Sequence, residues 1–186
     1  MTGVDTKSEL VDLGNGVADA SQFEGLNFVV GNIADYEVGV CNILIALHAC
    51  NTATDDAIYK GIIAKADLII AAPCCHQEIR PQITPPEMFR DILKHGVMLE
   101  RTAETITDGL RSLLLEKSGY STKLFEFVSV EHTPKNNMLI GTRLTKPMSS
   151  ERFDRQIQAI KSLYSIQEHH LEKLLDQKFS LPNSIS

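Results

Sequence analysis

Two short apolar runs, Ile43–Leu47 and Leu68–Ala72, set the pattern of the chain. Each ends in a turn-rich polar segment, and about fifteen residues of helical period lie between them. Strand, helix, strand at this spacing predicts a βαβ unit, whose strands run parallel because the helix carries the chain back to its starting edge. The crossover is right-handed in nearly all such units. If the two strands are neighbours, His48-Ala49-Cys50 and Pro73-Cys74-Cys75-His76 open on one rim. That carboxyl-end rim is where open α/β sheets bind ligands.

The remaining periodicity gives the rest of the order. Leu10, Val11, Leu13, Val17 and Ala18 recur with helical spacing, so Ser8–Ala20 reads as a helix that tolerates two glycines, with Thr6 or Ser8 as its cap. Val11-Asp12-Leu13-Gly14-Asn15-Gly16 imitates the glycine turn of a nucleotide-binding fold. The next strand, Leu26–Val30, arrives too soon for the helix and acid-bearing strand that such a turn requires. Met1–Asp5 then reads as the tail of a strand. After the βαβ unit come a proline-rich loop (Gln77–Pro86), a short helix (Glu87–Lys94) and a long one, about Val97–Lys117. The long helix buries Leu99, Ala103, Ile106, Leu110, Leu113 and Leu114 and stops at Gly119. Lys123–Val130 and Met138–Thr142 read as an antiparallel hairpin. Ser149–Phe179 reads as helical, and Leu181–Ser186 as frayed.

Composition narrows the class. The 186 residues make one ordinary domain or most of one, and 43% hydrophobic with 23% charged residues is the balance of a water-soluble globular chain. No apolar run is long enough to span a bilayer and no signal peptide is visible, so no membrane partner is expected. Four cysteines, two of them adjacent, suit a reducing interior and a cytoplasmic protein rather than a disulfide framework. The formal charge of −6 argues against non-specific nucleic-acid binding but leaves room for a local basic groove.

The motifs themselves carry a resemblance. The final hairpin, with Leu47-His48-Ala49-Cys50-Asn51-Thr52-Ala53-Thr54-Asp55, Ala72-Pro73-Cys74-Cys75-His76 and His132-Thr133-Pro134-Lys135-Asn136, resembles class I S-adenosylmethionine-dependent methyltransferases. Within them it is similar to a methyltransferase-domain family with LHACDTATD and PCCH signatures, and more distantly to enzymes that methylate tRNA ribose 2′-hydroxyls. The resemblance runs from about Gly3 to Leu144. It implies an α/β fold, a Rossmann-like and mostly parallel sheet with a C-terminal antiparallel hairpin. Residues 1–148 would form a partial methyltransferase domain, with 149–186 as appended helices. It also implies that the first strand, the glycine-rich turn and the first helix are missing, so the amino-terminal part of the same protein is an expected partner. The fragment alone would then bind the cofactor poorly.

The resemblance assigns roles by position. Asp5 would hydrogen-bond the ribose of S-adenosylmethionine, Asn32 and Ile33 would flank its adenine, and His48, Ala49 and Cys50 would face the sulfonium methyl. Asn51, Thr54, Pro73, Cys74, Cys75, Lys135 and Asn136 would line the acceptor side, with His48, Asp55 and His76 catalytic. Asn51 departs from the usual Asp of the signature.

Each signal has a plainer alternative. Asp55 and Asp56 are also suited to the first turn of a helix, where they offset its dipole. His48 and His76 are general-base candidates if a hydroxyl must lose its proton, or structural residues if not. His132–Asn136 suits a turn, with Lys135 left open. Glu100, Glu104 and Asp108 with Arg101 and Arg111 read as a solvated or salt-bridged helix face. The Cys/His cluster has the elements of a zinc site, yet adjacent cysteines in a turn are expected to point apart and no CxxC pair occurs. Packing or a catalytic pocket is therefore favoured and no metal is expected. The function expected is methyl transfer to an oxygen or nitrogen acceptor, with RNA as the candidate class. The alternatives are a non-catalytic interaction module and a zinc-binding domain.

Overall fold

The computed structural model describes residues 1–47, 49, 51–127, 136–146 and 149–180, the last three of these without their side chains. The chain divides into Met1–Val38 and Gly39–Ser186, each with its own sheet.

In the smaller unit, β1 (Thr2–Asp5) and β2 (Asn27–Val30) pair in parallel, connected by helix α1 (Ser8–Ala20). The glycine-bearing segment is therefore a helix, as its apolar spacing predicts. Its amino terminus differs from expectation: Lys7 takes the cap position without a side-chain bond, and its N–H donates to Asp5 Oδ1 at 2.8 Å. Asn15 locks the helix to the strand, donating from Nδ2 to Phe28 O and accepting from Phe28 N–H at 2.7 Å. Of the two glycines in α1, only Gly14 is required by packing. A Cβ there would meet the Phe28 ring at 2.9 Å, whereas a Cβ on Gly16 would meet nothing within 4 Å. Gly16→Ala is thus expected to stabilise this unit by about 1 kcal/mol through helix propensity, and Gly14→Ala to lose that gain to the clash. Amide hydrogen exchange of β1 and β2 reads both; equal effects would refute the distinction.

The larger unit carries β3 (Ile43–Leu47), α2 (Ala53–Ile63) and β4 (Leu68–Ala72), then α3 (Arg90–Leu93), α4 (Gly96–Lys117), β5 (Tyr120–Glu126), β6 (Asn137–Arg143), α5 (Glu151–Tyr164) and α6 (His170–Ser180). Its sheet has the order β3-β4-β6-β5, with β3 parallel to β4 and β6 antiparallel to both neighbours. This is the α/β, Rossmann-like arrangement with a carboxyl-terminal antiparallel hairpin that the sequence predicts. Helix α2 packs on β3 and β4, α4 on β5 and β6, α5 on α4, and α6 on α2.

Details depart from the pattern. The short helix at 87–94 is a 3₁₀ turn (Glu87–Phe89) followed by a single α-turn. The carboxyl-terminal helix breaks in two because Ser165 adopts φ 59°. Gly119 does end α4, at φ 92°. Strand β3 buries only Leu44 and Ala46, while Ile43, Ile45 and Leu47 stay more than half exposed. A continuous apolar run predicts burial on both faces, but in a strand only alternate side chains share a face. Among the described residues no helix is long and apolar enough to cross a membrane. The expected frayed end, 181–186, lies outside the described residues.

Candidate functional site

The rim is built by register. Ile43 pairs with Leu68 and Leu47 with Ala72, so β3 and β4 end level. Ala49 and Asn51 follow β3, and 73–76 follow β4, at that level end. Strand β6 runs the other way, with Leu139 opposite Ala71, so Asn136 and Asn137 enter it at the same rim. His48, Cys50 and Lys135 lie outside the described residues.

Behind the rim stands a buried ionic network. Arg111, on α4, places Nε 2.8 Å from Asp55 Oδ1 and Nη2 2.9 Å from Asp55 Oδ2, a two-point fork. Its Nη1 donates to Asp108 Oδ1 at 3.2 Å and its Nη2 to the Asn51 carbonyl at 3.4 Å. Asp55 and Asp108 are fully buried and Arg111 nearly so. Burial by itself would lower the guanidinium's pKa, but the Asp55 and Asp108 carboxylates overcome that and hold it above its ordinary value. Thr54, also buried, donates its hydroxyl to Ala49 O, which ties the turn after β3 to the start of α2.

The structure thus gives Asp55 a different part from the one the sequence suggests. Both its oxygens bond Arg111, so it anchors the Asn51–Thr54 turn to α4. Asp56 makes no helix cap; its carboxylate meets His170 Nε2 at 2.8 Å. Of the α4 face read as solvated or salt-bridged, Arg101 is exposed and half-buried Glu100 pairs with Arg80 at 2.6 Å, while Asp108 and Arg111 are salt-bridged but buried. Asp108 and Arg111 turn inward because each neutralises the other's burial cost.

His76 follows β4 and is 4% exposed. Its Nε2 lies 3.5 Å from Asp108 Oδ1 and makes no hydrogen bond. Cys74 and Cys75 are half-buried with their sulfurs 3.6 Å apart, so these neighbours converge and do not point apart as expected. Pro73 is buried and Asn51 half-buried, with Asn51 in the left-handed region at φ 53°. Asn136 is 1% exposed, and its carbonyl accepts the Phe127 N–H at 3.0 Å. Its neighbour Asn137, which sequence reasoning passed over, donates from Nδ2 to Glu104 Oε1 at 3.2 Å and to Asp108 Oδ2 at 3.0 Å. No sequence signal marks Asn137, and the charge spacing that marks Asp108 and Arg111 does not reveal that they are buried, because their meeting depends on how α4 lies over the sheet.

In the smaller unit, β1 and β2 also end level, Asp5 opposite Val30. Asp5 is partly exposed, and Gly31 N–H bonds its carbonyl at 2.9 Å. Asn32 Oδ1 accepts the Ala34 N–H, shaping the turn that holds Ile33. A partly exposed carboxylate at a strand end, beside a second strand's outgoing turn, is the acceptor that a ribose diol needs. These residues fit that part of a nucleoside ligand. Elsewhere an open hollow of about 750 Å³ is lined from α5, α6 and the turn between them by Lys161, Glu168, His169, Glu172 and Lys173. It holds none of the expected site residues.

The family model that matches residues 1–82 is described as a methyltransferase domain. Among curated proteins, the human glutathione S-transferase C-terminal domain-containing protein is 29% identical over 138 residues, covering 61% of this chain and 22% of the relative. Its Drosophila melanogaster homolog is 31% identical over 135 residues, covering 58% and 23%. The chain therefore spans less than a quarter of the length of the curated relatives it matches. Among solved structures, the methyltransferase domain of bacterial CtHen1-C is 13% identical, covers 77% of each chain and superposes with a TM-score of 0.48.

Proposed function

We propose that the protein carrying this domain transfers a methyl group from S-adenosylmethionine to an oxygen or nitrogen acceptor, with RNA as the acceptor class. The reading is carried by the level ends of β3 and β4 at one rim, in a chain whose first 82 residues match a methyltransferase-domain family. RNA is supported by the distant resemblance to tRNA 2′-O-methyltransferases. The net charge of −6 gives it no help, so local basic groups would have to grip the phosphates.

When bound, S-adenosylmethionine supplies an electrophilic methyl on a sulfonium. By the family resemblance, Asp5 is assigned to its ribose hydroxyls, Asn32 and Ile33 to the adenine, and His48, Ala49 and Cys50 to the sulfonium end. Asn51, Thr54 and Pro73–Cys75 would set the acceptor's approach, with Asp55 and Arg111 as positioning residues that hold the Asn51 turn. Most of the rate gain in such a displacement comes from fixing the two reactants in line and from preorganised dipoles. A hydroxyl acceptor also needs a base, and His48 and His76 are the candidates.

The experiment is an assay of the full-length protein with labelled methyl donor against total RNA and small molecules. Label in RNA is expected; no incorporation in any fraction would overturn the proposal. The 186-residue chain alone is expected to bind the cofactor weakly. Among the described residues β1 pairs with β2 alone and β3 with β4 alone, which leaves sheet edges without described ladder partners. Calorimetry giving micromolar affinity for the chain alone would refute this second expectation.

A further inference from the structure

His76, Glu104 and Asp108 offer three ligand atoms that all lie within 4.8 Å of one another. We propose that this cluster is a binding site for one divalent first-row cation of the manganese class, held by His76 Nε2 and the carboxylates of Glu104 and Asp108. Ligands about 2.0–2.2 Å from such an ion stand about 3–3.5 Å apart at tetrahedral or octahedral angles. His76 Nε2 and Asp108 Oδ1 are already 3.5 Å apart. Glu104 sits one helical turn before Asp108 on α4, where residues four apart share a face.

Two observations beyond proximity point to a ligand. The first is His76 itself. It is 4% exposed, directs Nε2 at the two carboxylates and makes no hydrogen bond there, although a buried polar atom left without a partner costs free energy. A cation between nitrogen and carboxylates would complete that atom's coordination. The second is the scaffold around the ligands. Asn137 Nδ2 donates to one oxygen of each carboxylate, drawing them together, and Arg111 Nη1 donates to Asp108 Oδ1. Donors that orient ligating carboxylates in this way are the usual outer support of a metal site.

A mixed set of one imidazole and two carboxylates suits an ion of intermediate hardness; it lacks the thiolates that would select zinc and copper(I). These ligands differ from the Cys/His set that the sequence brings forward, sharing only His76. Coordination would use the Nε2 lone pair, so a His76 that binds the ion is not the general base.

The inference does not rest on methyl transfer, because it is read without any methyl donor and can fail while that proposal stands. The 186-residue chain, stripped with chelator and dialysed, is titrated with Mn²⁺, and bound ion is followed by loss of the free-ion electron paramagnetic resonance signal. One ion per chain is expected, with affinity at least tenfold lower in His76→Asn and in Glu104→Gln. Cys74→Ser/Cys75→Ser should bind as the parent does. Glu104 is only half-buried on a helix, so E104Q keeps its fold and remains informative if H76N does not. Absence of binding, or binding unchanged in E104Q, would overturn the site.

Discussion

Arg111→Ala is expected to cost the larger unit about 3–5 kcal/mol of stability, the loss typical when one partner of a buried ion pair is removed. The size follows from what the substitution leaves behind. Asp55 and Asp108 have no exposed side-chain surface, and Arg111 supplies the opposite charge and three of the donors that partner their carboxylates in a dry setting. Lysine keeps the charge but lacks the planar fork, so Arg111→Lys should recover only part of the loss. The double replacement Asp55→Leu/Arg111→Met should cost less than R111A, because it removes both charges together. Urea unfolding followed by circular dichroism, compared at unchanged slope, measures all three. A loss below about 1 kcal/mol in R111A would mean that the pair behaves as a solvated surface bridge.

Acidification should weaken the fold by about 3 kcal/mol between pH 6.5 and 4 through one residue, His169. Its ring is buried, both nitrogens lack hydrogen bonds, and its pKa is lowered from 6.5 to about 4. Burial is the main cause. Asp55 opposes it, while the positive charges of Arg111 and Lys161 add to it. The unfolded chain takes up this proton near pH 6.5 and the folded chain only near 4. Between those values the unfolded state holds more protons, so stability falls as pH falls, then levels off below pH 4. Above pH 6.5 the residue contributes no pH dependence. His169→Leu should flatten this segment of the stability–pH curve relative to the parent, whatever the carboxylates contribute at lower pH. A parent curve that is flat from pH 6.5 to 4.5 would refute the assignment.

Much of the fold was legible because it depends on local period. The spacing of Leu10, Val11, Val17 and Ala18 marks α1 despite the glycine-rich look-alike, and the apolar runs with their intervening helix mark β3-α2-β4. The hairpin of β5 and β6 follows from a short turn-rich gap; β5 begins three residues before the expected Lys123, and β6 extends one residue beyond the pattern at each end. Residues 128–135, which include the expected end of β5 and most of the connector, lie outside the described residues. The cap of α1 and the break at Ser165 were not legible, since each turns on one or two backbone angles that many sequences tolerate.

The site divides in the same way. Local sequence placed Asn51, Pro73 and His76 at strand ends, because a parallel βαβ unit leaves the chain only one way to run. It also gave Asp55 and the charged face of α4 roles that neighbouring residues along the chain would support. Tertiary structure decided otherwise: Arg111 reaches Asp55 across 56 positions, and Asn137 reaches Asp108 across 29. A charged residue on an amphipathic helix looks the same in sequence whether water or a buried partner receives it. Only the packing of α4 over the sheet, by excluding water from Asp55, Asp108 and His76, turned a pattern of charges into an ionic network. The sequence alone determined the order of elements and the rim at which they end. The fold decided which of the rim's side chains face each other, because desolvation depends on distance in space and not along the chain.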